Sequence, residues 1–97
     1  MDLGKAIKEL RKQNGLSQQE LAAKASITQG TLSQIERGNK RPGIETLKSI
    51  SEALEVPESL IYVMGMEKED VPENKVTLYE KLFPVIQDLV RQIAMKP

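Results

Sequence analysis

Two short helical segments with hardly any chain between them, lying between Ser17 and Gly38, constrain this sequence more than anything else in it. Ser17-Gln18-Gln19-Glu20 forms a capping box: the Ser17 hydroxyl can accept from the Glu20 backbone N–H, and the Glu20 carboxylate can reach back to Ser17. Leu21, Ala22 and Ala25 then make the buried side of a helix that ends near Ala25. After Ser26-Ile27, Thr28 is a second N-cap, and a helix from Gln29 to Arg37 turns Leu32 and Ile35 inward before Gly38 closes it. Small Ala22 lets the two helices approach, while Leu21, Ala25, Ile27, Leu32 and Ile35 supply the apolar contacts that fix their crossing.

The flanking chain repeats this helical grammar. Leu3, Ala6, Ile7 and Leu10 recur at helical spacing behind an Asp2 N-cap, and Asn14-Gly15 stops a first helix of about Asp2 to Gln13. Asn39 to Gly43 is a turn-rich basic loop. Ile44, Leu47, Ile50, Ser51 and Leu54 share one face of a fourth helix. Pro57 suits the first turn of a fifth, whose Leu60, Ile61 and Met64 face inward before Gly65. Acidic residues and Pro72 mark 67–75 as a linker. Beyond it Leu78, Leu82, Ile86, Leu89 and Ile93 form a narrow seam of the coiled-coil type, widened by Val85 and Val90. Pro84 removes a backbone donor, so the expected helix runs from Pro84 to Ala94 with one helical turn before it. The expected fold is all-α: a five-helix domain over 1–66, the linker, and a C-terminal helix within 76–97.

Composition removes several classes of function. Without cysteine there is no disulfide framework and no thiolate, and without histidine the commonest general base and metal ligand are missing. No glycine-rich phosphate loop and no suggestively spaced carboxylate pair stands in their place, so neither an enzyme, nor a metal site, nor a cofactor is expected. No apolar run approaches the roughly 18 residues that span a bilayer, and the N-terminus lacks a signal-peptide pattern, so the chain reads as cytoplasmic. Net charge is zero, but it is unevenly spread. Met1 to Gly43 holds eight basic and four acidic residues, a net +4, and the remainder holds six and ten, a net −4.

The two crossing helices have the helix-turn-helix pattern, whose second helix enters the major groove of DNA. Gln13-x-Gly15-Leu16-Ser17-Gln18-x-Glu20-Leu21-Ala22, then Thr28-x-x-x-Leu32-Ser33-x-Ile35-Glu36-Arg37-Gly38, then Arg41-Pro42, resembles the lambda-repressor-like family of phage repressors, Cro proteins and XRE-type bacterial regulators. The resemblance covers about Leu3 to Gly65. It implies a five-helix fold and operator binding as a two-fold dimer. It also places Gln29, Gly30, Thr31, Ser33 and Gln34 on the groove-facing side of the recognition helix. A glutamine amide can pair bidentately with adenine, and the Thr31 methyl can meet that of thymine. Ser17, Gln18 and Thr28, at helix N-termini, and Asn39, Lys40 and Arg41, after the recognition helix, are the expected phosphate contacts. In the family an arginine of the first helix often pairs with the glutamate ending the recognition helix, which implies a structural ion pair between Arg11 and Glu36. Two positions depart from the pattern: Ser26 stands where a turn glycine is common, and Gly30 offers no side chain where relatives often make a contact.

The expected function is therefore a DNA-binding transcriptional regulator, a repressor, acting on a palindromic operator in double-stranded DNA as a homodimer. Leu78, Leu82, Ile86, Leu89, Val90 and Ile93 are the expected dimerisation or partner-binding residues. The alternative is a protein-interaction module, or an antitoxin-type regulator, whose C-terminal helix binds a partner protein.

Overall fold

The computed structural model describes residues 1–94, so positions 95–97 of the expected C-terminal segment lie outside the described residues. Six α-helices account for most of the chain: α1 Leu3–Gln13, α2 Gln18–Lys24, α3 Gln29–Glu36, α4 Ile44–Leu54, α5 Glu58–Met64 and α6 Val76–Ala94. Two single 3-10 turns, Lys68–Asp70 and Glu73–Lys75, join α5 to α6, and there is no strand among the described residues.

The helix starts follow from local side-chain chemistry. Asp2 accepts from the Lys5 N–H, both halves of the Ser17–Glu20 capping box are closed, and Thr28 accepts from the Thr31 N–H. Pro57 sits one place earlier than expected, as the residue before α5. Each of α1 to α5 then drives at least one large apolar side chain into a single shared core. Ile7, Leu10, Leu21, Leu32, Ile35, Ile50, Leu54 and Ile61 are all fully buried. At about 1.5–3 kcal/mol per buried aliphatic side chain, these eight supply the main drive for folding.

Three expectations need correction. Ile44, expected on the inward face of α4, is 85% exposed. At 3.6 residues per turn it lies roughly a quarter turn round from the face that Leu47, Ile50 and Leu54 bury. Second, α6 does not begin at Pro84; it runs unbroken for 19 residues with Pro84 inside. The proline is exposed, and anchors on both sides hold the helix across the missing hydrogen bond. Before it, the Tyr79 and Phe83 rings stack at 4.8 Å and the Tyr79 hydroxyl donates to the Met66 carbonyl. After it, Val90 is buried against the core and Arg91 Nε donates to Glu9 of α1 at 2.9 Å. Third, Val90 therefore does not belong to the open seam, because it faces inward.

The acidic segment 67–75 is tied to the domain rather than trailing from it. The Met1 amine lies 2.8 Å from Glu67 and 2.7 Å from Asp70. Hydrogen bonding to Asp70 raises the amine pKa above its ordinary value, and the same contact lowers that of the Asp70 carboxyl.

Candidate nucleic-acid interface

The site is built on α2, α3 and the turn between them. The α2 helix ends as the Ile27 N–H donates to the Ala22 carbonyl and Ser26 takes a left-handed φ of 57°. This is the conformation for which a glycine is usual, and serine holds it at a cost of about 1 kcal/mol. Ala22 is buried under the crossing.

Behind α3 stands a clamp. Arg11 Nε donates to Glu36 Oε2 at 2.8 Å, and Arg11 Nη2 donates to Glu36 Oε1 at 3.0 Å. The pair is nearly sealed from water, the two side chains being 9% and 2% exposed. A buried bidentate pair has to satisfy its remaining valences as well. Arg11 does so through Nη1, which donates to the Leu16 carbonyl, and Glu36 accepts a third hydrogen bond from Gln18 Nε2 at 3.0 Å. The clamp thus binds α1, the α1–α2 loop, the first residue of α2 and the last of α3 into one unit. A second close approach reinforces it: a Cβ at Gly4 would collide with the Ile35 carbonyl oxygen, so α1 and α3 meet backbone to backbone. No local pattern in the sequence signals the Gln18 contact. The lone glycine inside the apolar periodicity of α1 was the available sign of the other.

With Leu32, Ile35 and Glu36 turned inward, α3 leaves Gln29, Gly30 and Gln34 exposed, while Thr31 and Ser33 are half-buried. All five positions expected to touch bases thus lie outside the fully buried side. Three of the expected phosphate contacts are already engaged. The Ser17 hydroxyl and N–H are held by Glu20, the Thr28 hydroxyl caps α3 and donates to Thr31, and the Gln18 amide nitrogen is turned to Glu36. Hydrogen bonds from Ser17, the backbone one foremost, keep the Glu20 carboxyl below its usual pKa.

Beyond α3 the chain turns at Gly38, with φ 79°, and the Asn39 N–H donates to the Gln34 carbonyl. Asn39, Lys40 and Arg41 are exposed, and so is Arg37, a cation that the sequence reading left off the interface. Among the described residues, Arg37, Lys40 and Arg41 are in no ion pair. A row of open amide groups therefore runs directly into a row of uncompensated cations, next to which lies no cluster of acidic metal-ligating side chains among the described residues. No helix among the described residues is long and apolar enough to cross a membrane.

An angular helix pair clamped from behind, its second helix showing a polar face, defines a helix-turn-helix module. The helix-turn-helix family model matches residues 7–61. The chain is 38% identical over 61 residues to the immunity repressor protein of Bacillus phage phi105, covering 63% of this chain and 42% of that protein. It is 33% identical over 89 residues to the HTH-type transcriptional regulator ImmR of Bacillus subtilis strain 168, covering 92% of this chain and 68% of that one. Among solved structures, the clp gene regulator ClgR from C. glutamicum superposes with a TM-score of 0.64 at 31% identity, over 66% of this chain and 83% of that one. The chain belongs to the XRE-type helix-turn-helix family, a family of DNA-binding transcription regulators and not of enzymes.

Proposed function

We propose that this protein is a cytoplasmic transcriptional repressor that binds a palindromic operator as a homodimer, with α3 as the helix that enters the major groove. The observation that carries this reading is the open polar face of α3, continued by Arg37, Lys40 and Arg41, which are exposed and in no ion pair among the described residues. Gln29 and Gln34 read base edges there, each amide offering a donor and an acceptor. The cations after the helix, with Asn39, take the flanking phosphates and set the register. The repressor role is supported by the kinship with a phage immunity repressor. Residues 1–66 form the DNA-binding unit, and α6 joins two copies through Leu78, Leu82, Ile86, Leu89 and Ile93, all of them exposed in the single chain. Two such units would set their α3 helices about 34–36 Å apart, one helical turn of DNA.

Selection of bound duplexes from a random pool at about 150 mM salt, with wild type beside the double variant Gln29→Ala/Gln34→Ala, tests this. The expected result is a palindromic motif for wild type whose information collapses for the variant. No enrichment by either protein would overturn the proposal.

A further inference from the structure

The face of α6 turned away from the core carries six exposed apolar side chains: Leu78, Leu82, Val85, Ile86, Leu89 and Ile93. At 1.5 Å per residue they form a strip about 22 Å long. Isolated apolar residues on a surface need no explanation, but a continuous strip of this length does. Its two ends differ. Near Leu78 the strip opens into an apolar groove between α6 and the 3-10 turns, with Val63, Val71, Pro72 and Phe83 among its walls. At the other end Ile93 projects with 71% of its surface exposed. One end is a hole and the other a knob.

The flank of the strip farther from the domain core carries a second asymmetry. Lys81 and Asp88 lie there, two helical turns apart, and both are exposed. Neither is in an ion pair among the described residues; the one hydrogen bond to Asp88 comes from Gln92.

We propose that the strip is covered by the same strip of a second copy running antiparallel, with Lys81 of each chain paired to Asp88 of the other. This rests on the reading of the protein as a dimer and specifies how that dimer is made. Leu78, Leu82, Val85 and Leu89 step by four, three and four, the spacing of a coiled-coil seam. In antiparallel register Leu82 packs on Val85 of the second copy and Leu78 on Leu89 of the second copy. The two-fold axis then crosses between Phe83 and Pro84. The same register brings Lys81 beside Asp88 of the second copy, twice by symmetry, and carries Ile93 of the second copy to the groove wall at Pro72 and Lys75. Knob meets hole at both ends, as an isologous interface demands. A parallel pair would instead set Lys81 and Asp88 against Ile86 and Ile93 of the second copy, charge against hydrocarbon, which is costly.

The test is a concentration series in sedimentation velocity on the full chain, for wild type, Lys81→Glu, Asp88→Lys and an equimolar mixture of the two variants. Both positions are exposed, so each variant keeps its fold, checked by circular dichroism. Wild type is expected to dimerise. Each variant alone, facing two like-charge contacts, should dissociate about tenfold more readily. The mixture should recover dimer. In a mixed pair the introduced carboxylate of one chain faces the introduced ammonium of the other, and the native Asp88 and Lys81 that remain face each other. Wild type that stays monomeric, variants that dimerise as tightly as wild type, or a mixture that gains nothing would each overturn the pairing. If the duplex selection still yields a palindromic motif in that case, operator binding stands and only the α6 interface falls; if neither succeeds, both fall.

Discussion

Helices α3 and α6 solve the same geometrical problem with opposite surfaces. Each buries one side in the domain and leaves the other open. The open side of α3 is Gln29, Gly30 and Gln34, and that of α6 is Leu78, Leu82, Val85, Ile86, Leu89 and Ile93. Their attachments differ too. The last turn of α3 is locked by a sealed ion pair and fully buried Leu32 and Ile35. α6 is held by Val90, the Tyr79 hydroxyl on the Met66 carbonyl and an Arg91–Glu9 pair whose side chains are 42% and 26% exposed. A helix that reads base edges has to keep its hydrogen-bonding groups free and its position rigid. A helix that recruits a protein surface gains from hydrocarbon that water leaves on contact, and it needs less rigidity because the partner supplies it.

The sharpest way to break this contrast is at the clamp. Glu36→Gln should cost about 3–5 kcal/mol of stability in urea denaturation, because it leaves Arg11 charged and buried. The outwardly similar change Glu9→Gln, which removes the α1 partner of Arg91 in α6, should cost less than about 1 kcal/mol. Equal losses would mean that the two helices are attached alike. Next in size, Gln29→Ala/Gln34→Ala should leave stability within about 0.5 kcal/mol of wild type. The same variant should lose about 1–3 kcal/mol of base discrimination for each glutamine, read from titrations of selected and scrambled duplexes. Charge can be separated from base reading by Lys40→Ala/Arg41→Ala. It should lower affinity for every duplex and flatten the slope of log affinity against log salt by about 0.9 per contact removed. An unchanged slope would take the basic loop out of the interface. The smallest expected effect is at the turn, where Ser26→Gly relieves the left-handed serine but loosens the unfolded chain, for a net gain of about 0.5 kcal/mol in thermal unfolding.

Much of this was legible in the sequence because it depends on near neighbours. The caps at Asp2, Ser17 and Thr28, and the inward faces of α1, α2, α3 and α5, require only spacing and side-chain reach. The Arg11–Glu36 pair lies 25 residues apart and came from family resemblance, not from pattern. What escaped was set by three-dimensional surroundings. Gln18 was read only for its place at a helix N-terminus, and the hydrogen bond from its amide to a buried carboxylate 18 residues later was not foreseen. Pro84 looked like a boundary because local propensity disfavours it, but the packing of half-buried Phe83 and buried Val90 on either side outweighs that penalty. Val90 and Val85 were indistinguishable as widening positions of one seam, and only the packing of α6 against α1 and α5 decides which of the two is covered.

Gly30 leaves the molecule room to change. An added Cβ there would meet nothing closer than the Thr28 hydroxyl at 3.9 Å, in contrast to the closed seat at Gly4. A Cβ at position 30 therefore needs no repacking, and alanine there would strengthen α3, since glycine is about 1 kcal/mol poorer than alanine within a helix. On the proposed reading of α3 as the helix that enters the major groove, this one codon is where a new operator preference could arise in a single step, without first passing through a less stable ancestor.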